Sequence, residues 1–168
     1  MLFKIFSPDR LSYANLRYSI ARDVVSFLVR FLLDTDVIVA AMRSPTGASA
    51  ELFRRIDGEQ ATMLLSVALA LEYEAKCMMA EHRLAAGLTA AETGIFVDGL
   101  IALAEPVRSF YRWRPQLRDP GDELVLEAAV NGRADAIVTF NEKDLRDARQ
   151  SFGIAVIRPG EALWRMKS

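Results

Sequence analysis

The chain has one cysteine, Cys77, and one histidine, His82, in 168 residues. A single thiol can close no intrachain disulfide and build no thiolate metal site, so a reducing compartment is its natural setting. The lone imidazole reads as an exposed or partly packed side chain at a helix end, not as a base. That leaves no intact Ser-His-Asp, Cys-His or multi-histidine zinc chemistry. An excess of charge of one sign is also missing, because the formal net charge is −1. The molecule as a whole therefore presents no basic field to a nucleic acid, and any such site must be local. Lysine is scarce, at 4 against 17 arginines. That ratio suits planar, bidentate phosphate contacts, and it equally fits a coding sequence that favours arginine codons. Long apolar runs are absent too. The longest stretch near the start, residues 24–33, is interrupted by Ser26 and Arg30 and falls far short of the ~20 residues a membrane span needs. No small-residue cleavage site follows a clean apolar core, so a secretory signal is not expected, and the chain reads as soluble and cytoplasmic. Whatever chemistry it performs must run on carboxylates.

What remains is the composition of a folded globular protein, with 52% apolar and 26% charged residues. The length suits one domain with a substantial core. Residues 31–33 form a short apolar run ending in Asp34-Thr35-Asp36, which predicts a buried strand delivering acids at its carboxyl end. Helical sequence follows, and residues 49–56 place Leu52, Phe53 and Ile56 on one face before Asp57-Gly58 stops the helix. Residues 62–66 predict a second strand and residues 67–81 a second helix. Residues 89–105 open with a Thr-x-x-Glu capping box at Thr89 and Glu92 and carry Ile95, Phe96, Leu100 and Leu103 at helical spacing. Strand is expected at 107–111, a turn at 119–121, helix at 122–131 closed by Gly132, strand at 136–139, helix at 143–150, strand at 154–157, and a terminal helix from Pro159. Strands alternating with helices predict an α/β fold, a three-layer α/β/α sandwich around a central parallel sheet.

In such a sheet the ligand site lies outside the carboxyl ends of the strands. Acids follow four of the expected strands: Asp34 and Asp36; Glu72 and Glu74; Asp119, Asp122 and Glu123; and Glu142 and Asp144, preceded by Asn141. Asp and Asn also favour helix caps and strand ends for local reasons, so convergence at one end of one sheet carries more weight than any single acid. Oxygen ligands from separate segments are what hard cations such as Mg²⁺ or Mn²⁺ require.

Here a resemblance becomes specific. Leu32-Leu33-Asp34-Thr35-Asp36-Val37-Ile38-Val39 resembles the opening motif of PIN domains, and Asp119-Pro120-Gly121-Asp122-Glu123 with Ala128 resembles their third acidic motif. Residues 134–145, with Val138-Thr139-Phe140-Asn141 and Asp144, resemble the fourth motif in the form typical of VapC-like toxin ribonucleases. With Glu72 in Leu71-Glu72-Tyr73-Glu74, the likeness runs from about residue 30 to 165. It implies a metal-dependent endoribonuclease, the toxin of a toxin-antitoxin pair. Its metal-binding and catalytic acids would be Asp34, Glu72, Asp122 and Asp144, with Asp119, Asp36 and Asn141 as further candidates. Relatives often carry Asn where this chain has Asp36, so that carboxylate either adds a ligand or caps the next helix. The mechanism implied is hydrolysis of a phosphodiester by metal-bound water, and without metal the packed carboxylates would raise one another's pKa.

The choice between Glu72 and Glu74 rests on the resemblance. Val67, Leu71, Ala75 and Met78 recur at helical spacing and predict the face that packs on the sheet, with Met78 and Met79 as core or interface filler. At about 100° per residue, Glu72 and Glu74 flank that face on opposite sides, so geometry permits either.

The stretch Phe110-Tyr111-Arg112-Trp113-Arg114, with Arg108 and Arg118, interleaves aromatics and cations. It suits single-stranded RNA, and it equally suits core packing or a protein partner. The resemblance further implies a cognate antitoxin, with residues 49–56 and 89–105 as its expected docking surface, and it leaves a homodimer open. Residues 1–28 have no counterpart in it. They are expected to be an N-terminal extension, unstructured or unmade if initiation occurs at Val29, ahead of a domain spanning 29–168. Rival readings are a haloacid-dehalogenase-type phosphatase, whose first motif is also Asp-x-Asp after an apolar strand, and a catalytically weak protein-binding module on the same fold. The phosphatase lacks its later Lys and its Gly-Asp-x-x-x-Asp pair after a strand.

Overall fold

The computed structural model describes residues 28–108, 120–145 and 151–166. Strand β1 (Arg30–Leu33) opens the fold, and Phe31, Leu32 and Leu33 are completely buried. Burial on both faces is what a central parallel strand demands. Helices α1 (Thr35–Arg43) and α2 (Ala48–Asp57) follow, then β2 (Thr62–Ser66), α3 (Val67–Met78), α4 (Ala80–Ala86) and α5 (Ala90–Leu103). After them come β3 (Glu105–Val107), α6 (Pro120–Gly132), β4 (Ala136–Val138), β5 (Ala155–Ile157) and α7 (Pro159–Arg165). The strands form one parallel sheet in the order β3-β2-β1-β4-β5, with Phe31 paired to Met63 on one side and to Ala136 on the other. Helices cover the sheet as the expected α/β/α sandwich. The helix after β3, α6, lies across β1, β2, β3 and β4.

The amino ends of the strands are tied together by one arginine. Arg30, on β1, reaches past β2 to place Nη1 3.0 Å and Nη2 2.8 Å from the Glu105 carboxylate on β3, and Nη2 also donates to the Gly132 carbonyl at 3.1 Å. Gly132 ends α6 flat against the sheet. A Cβ there would stand 2.8 Å from a Val107 methyl and 2.9 Å from a Leu64 methyl, so both side chains would have to shift in a close-packed core.

Several boundaries differ from the sequence expectation. The third strand begins at Glu105 and not at Val107, because the ladder with β2 starts at the Leu64–Glu105 pair; Pro106 is tolerated because among the described residues β3 is an edge strand with no ladder donor to lose on its outer side. Residues beyond 108 on that side, including the aromatic and arginine stretch, lie outside the described residues. Pro120 is not in a turn but begins α6, where its fixed φ suits a first helical turn and its missing N–H costs nothing. The single helix expected over 67–81 is two. Met79 is extended (φ −59, ψ 133), its N–H closing α3 on Lys76 and its carbonyl accepting from His82 and Arg83 to open α4. Residues 142–145 are turns, and the rest of the helix expected over 143–150 lies outside the described residues, as do residues 1–27.

The packing faces of two helices also differ. Val67 and Leu71 are 77% and 61% exposed, and α3 instead buries Leu69, Tyr73 and Cys77. The cause is the absence of any loop between β2 and α3: Ser66 ends the strand and its hydroxyl caps Leu69 N–H at 3.2 Å, which fixes the rotation of the first turn. The expected capping box of α5 is present in both directions, but Ile95 is half exposed and the helix packs through Thr93, Phe96, Val97 and Leu100. On α2, Leu52, Phe53 and Ile56 are spent in the core, so the exposed apolar residues of the two expected docking helices are Ile95 and Ile101 on α5. Among the described residues no single helix is long and apolar enough to cross a membrane; α4 and α5 pass that test only as a pair bent by 91°.

Candidate active site

β1 ends in the middle of the sheet, and Asp34 is the next residue. Its N–H continues the β1–β4 ladder to the Val138 carbonyl at 2.9 Å, which holds the backbone at the carboxyl edge. The side chain is the N-cap of α1: Oδ1 accepts from Thr35 N–H at 2.7 Å. Asp34, and not Asp36, therefore does the capping. Its other oxygen, Oδ2, accepts from the Thr139 hydroxyl at 2.7 Å. Thr139 is completely buried and continues β4, with its N–H on the Ile157 carbonyl at 3.0 Å. One hydroxyl so joins the ends of β1 and β4, although the two residues are 105 positions apart.

Asp36 stands in the first turn of α1, and its Oδ2 accepts from Phe140 N–H at 3.0 Å. Burial is the main force pushing its carboxyl from 3.8 up to about 6, and the negative charge of Asp34 adds to the rise. The expected mutual repulsion of packed acids is thus present, in second place behind desolvation. Glu72, on α3, accepts from the Thr35 hydroxyl at 2.8 Å, which brings it to the same end of the sheet, while Glu74 is exposed. Tyr73 supports this placement from below. It is fully buried, and its hydroxyl donates to the Leu33 carbonyl, immediately before Asp34. Burial holds its phenol pKa well above the ordinary value, and the charges of Asp34 and Glu72 push it higher, so it stays a donor.

Two carboxylate oxygens in this cluster, Asp36 Oδ1 and Glu72 Oε2, are buried without a hydrogen-bond donor. Buried polar atoms are normally satisfied, and a carboxylate oxygen can be satisfied by a proton, a donor or a cation. The donor set is all oxygen, which fits Mg²⁺ or Mn²⁺ and not a soft metal.

The remaining sequence candidates are placed more loosely. Asn141 donates its side-chain amide to Asp144, and its backbone N–H is bonded to the Thr139 hydroxyl at 2.9 Å, which ties that loop to Asp34 through one residue. Asp144 itself is exposed. Asp122 is half-buried in the first turn of α6, a helix that packs on β1 and on α3, the helix of Glu72. Asp119 lies outside the described residues. Among the described residues, no three His, Cys, Asp or Glu side chains are grouped tightly enough to hold a metal ion outright. The structure thus holds Asp34 through the Thr139 hydroxyl, Glu72 through the Thr35 hydroxyl and Asp36 through the Phe140 N–H, while Asp122 is carried by α6, which packs on β1 and α3, and Asp144 is bonded to Asn141.

Sequence reasoning named the acids and passed over the hydroxyls that arrange them. Thr35 and Thr139 were both inside the quoted motifs, and their signal was position: each directly adjoins or closes a strand end next to an acid. Glu127, buried on α6 with its neighbour one turn earlier, Glu123, was not anticipated, because an acid in an apolar helical run reads as surface. Cys77 is buried with its thiol pushed up to about 12, so it is inert packing. Glu142 pairs with Arg158 at 2.6 Å and is occupied on the surface.

Residues 30–143 match the family model described as PIN domain. No curated protein matches the chain.

Proposed function

The chain belongs to the PIN-domain family, a nuclease-type fold, and from that premise we propose that it is a metal-dependent endoribonuclease, the toxin of a toxin-antitoxin pair. The observation that carries the proposal is the pair of buried, donor-free carboxylate oxygens on Asp36 and Glu72 beside Asp34. Leaving such atoms unsatisfied is costly, and a divalent cation removes the cost.

Asp34, Glu72, Asp122 and Asp144 would hold the ion, with Asp36, Asn141 and Asp119 as further oxygen donors. When bound, Mg²⁺ or Mn²⁺ supplies Lewis acidity to a phosphate and a water acidic enough to attack it near neutral pH. The protein's part is placement. Thr139 fixes the rotamer of Asp34 and Thr35 that of Glu72, so neither carboxylate must reorganise during the reaction. Tyr73 fixes α3 against the end of β1. Against the phosphatase reading stands the position of Gly121 and Asp122 inside α6, where that chemistry needs them after a strand.

Purified protein given single-stranded RNA should cleave it with Mg²⁺ or Mn²⁺ and stop in EDTA, and Asp34→Asn should lose the activity by orders of magnitude while keeping its fold. Full cleavage in EDTA would overturn the metal chemistry. No cleavage under any condition would leave the binding-module reading. Overexpression should arrest growth for wild type and not for Asp34→Asn; indifference to both would point to a housekeeping role and against a toxin.

A further inference from the structure

Phe140 is 46% exposed at the carboxyl end of β4. A single exposed apolar side chain ordinarily calls for no explanation. The surroundings of this one are unusual, because the backbone is pinned on both sides into the acidic cluster. Thr139, before it, is bonded to Ile157 and to Asp34; Phe140 N–H is bonded to Asp36 Oδ2; and Asn141 N–H, after it, is bonded to the Thr139 hydroxyl. Phe140 does not belong to the hydrophobic core, unlike the three fully buried residues of β4 before Thr139. Nor does cation binding use it, because hard cations bind oxygen. The result is a partly exposed aromatic side chain whose backbone is held beside the carboxylates by the hydrogen bonds that organise them.

We infer that Phe140 is a stacking platform for an unpaired base of the substrate, which rests on the RNA-cleavage reading above. Bases in a duplex are already stacked on their neighbours, whereas an unpaired base offers a free π-face to an aromatic side chain. Such stacking tolerates any base, so Phe140 contributes affinity and strandedness and little sequence preference. It also sets the register of the strand, because the base lying on the ring fixes which phosphate reaches Asp34 and Glu72.

The test uses a short unstructured fluorescein-labelled RNA and the same RNA annealed to its complement. Cleavage is followed with Mn²⁺ and binding by anisotropy in EDTA, for wild type, Phe140→Ala, Phe140→Leu and Phe140→Tyr. Phe140→Ala and Phe140→Leu should raise KM and Kd for the single strand roughly tenfold with little change in kcat, and Phe140→Tyr should stay within about twofold of wild type. Discrimination against the duplex should shrink in the first two variants. Unchanged thermal melting shows that the variants fold. Wild type that cleaves RNA alongside a Phe140→Ala of equal KM overturns the stacking inference and leaves the nuclease standing. A Phe140→Leu as good as wild type also overturns it, by showing that only apolar bulk matters. Wild type that neither binds nor cleaves RNA overturns the proposed function and this inference together.

Discussion

The hydroxyl of Tyr73 is bonded to the carbonyl of Leu33, so a residue adjoining Glu72 on α3 is fastened to the residue adjoining Asp34 on β1. Two acids from different elements thus share one mechanical reference. Tyr73→Phe keeps the ring and its packing but leaves the Leu33 carbonyl buried without this donor. It should lower stability by about 1–3 kcal/mol in urea unfolding and depress cleavage beyond what the remaining folded fraction accounts for. Activity that tracks only the folded fraction would mean that the bond stabilises α3 without positioning Glu72.

Asp36 makes the metal-free protein sensitive to pH. Its folded pKa, about 6, is above the ordinary value of 3.8, so the folded state favours the protonated form. A raised folded pKa gives a contribution fully present below the unfolded value and lost as pH rises through the folded one. Metal-free wild type should therefore lose stability relative to Asp36→Asn between about pH 4 and pH 6. Thermal melting of both proteins in EDTA across that window checks the sign. Adding Mn²⁺ at neutral pH should raise the melting temperature of wild type more than that of the variant. Parallel pH curves for the two proteins would show that Asp36 titrates normally.

Glu72 and Glu74 separate cleanly. Glu72 is bonded to Thr35 and Glu74 is exposed, so Glu72→Gln should lose Mn²⁺ affinity and turnover while Glu74→Gln stays within a few-fold of wild type. Calorimetric titration of Mn²⁺ into each variant reads the affinity independently of catalysis. The reverse ranking would mean that Glu74 is the ligand.

Much of the framework is legible because the strands are short, apolar and bounded by acids or turn residues: the pattern over residues 62–66 coincides with β2, and those for β1, β4 and β5 agree to within one residue. The faces of α3 are not. Val67, Leu71 and Ala75 share the spacing of Leu69, Tyr73 and Cys77, so periodicity cannot choose between them, and the choice is made by the Ser66 cap. Nothing local foretold the break at Met79, which sits among strong helix formers and is held open by hydrogen bonds to both helices. On α5 an almost uniformly apolar sequence hides its own buried face. At the site, the acids were visible as residue types near strand ends. The hydroxyl links were not, because that from Thr139 depends on β1 and β4 becoming neighbours and that from Thr35 on α1 packing against α3.

That pairing also imposes an order in time. β1 lies at the centre of the sheet, yet its partner β4 and the hydroxyl that orients Asp34 arrive 105 residues later in the chain. A ribosome adding roughly 5–20 residues per second needs roughly 5–20 s to cover that distance. Through that interval a nascent chain carries Asp34 and Asp36, joined part-way by Glu72, with one flank of the central strand unpaired, and Asp34 lacks the Thr139 contact. The order of synthesis thus delays completion of the carboxylate cluster until most of the chain has been made.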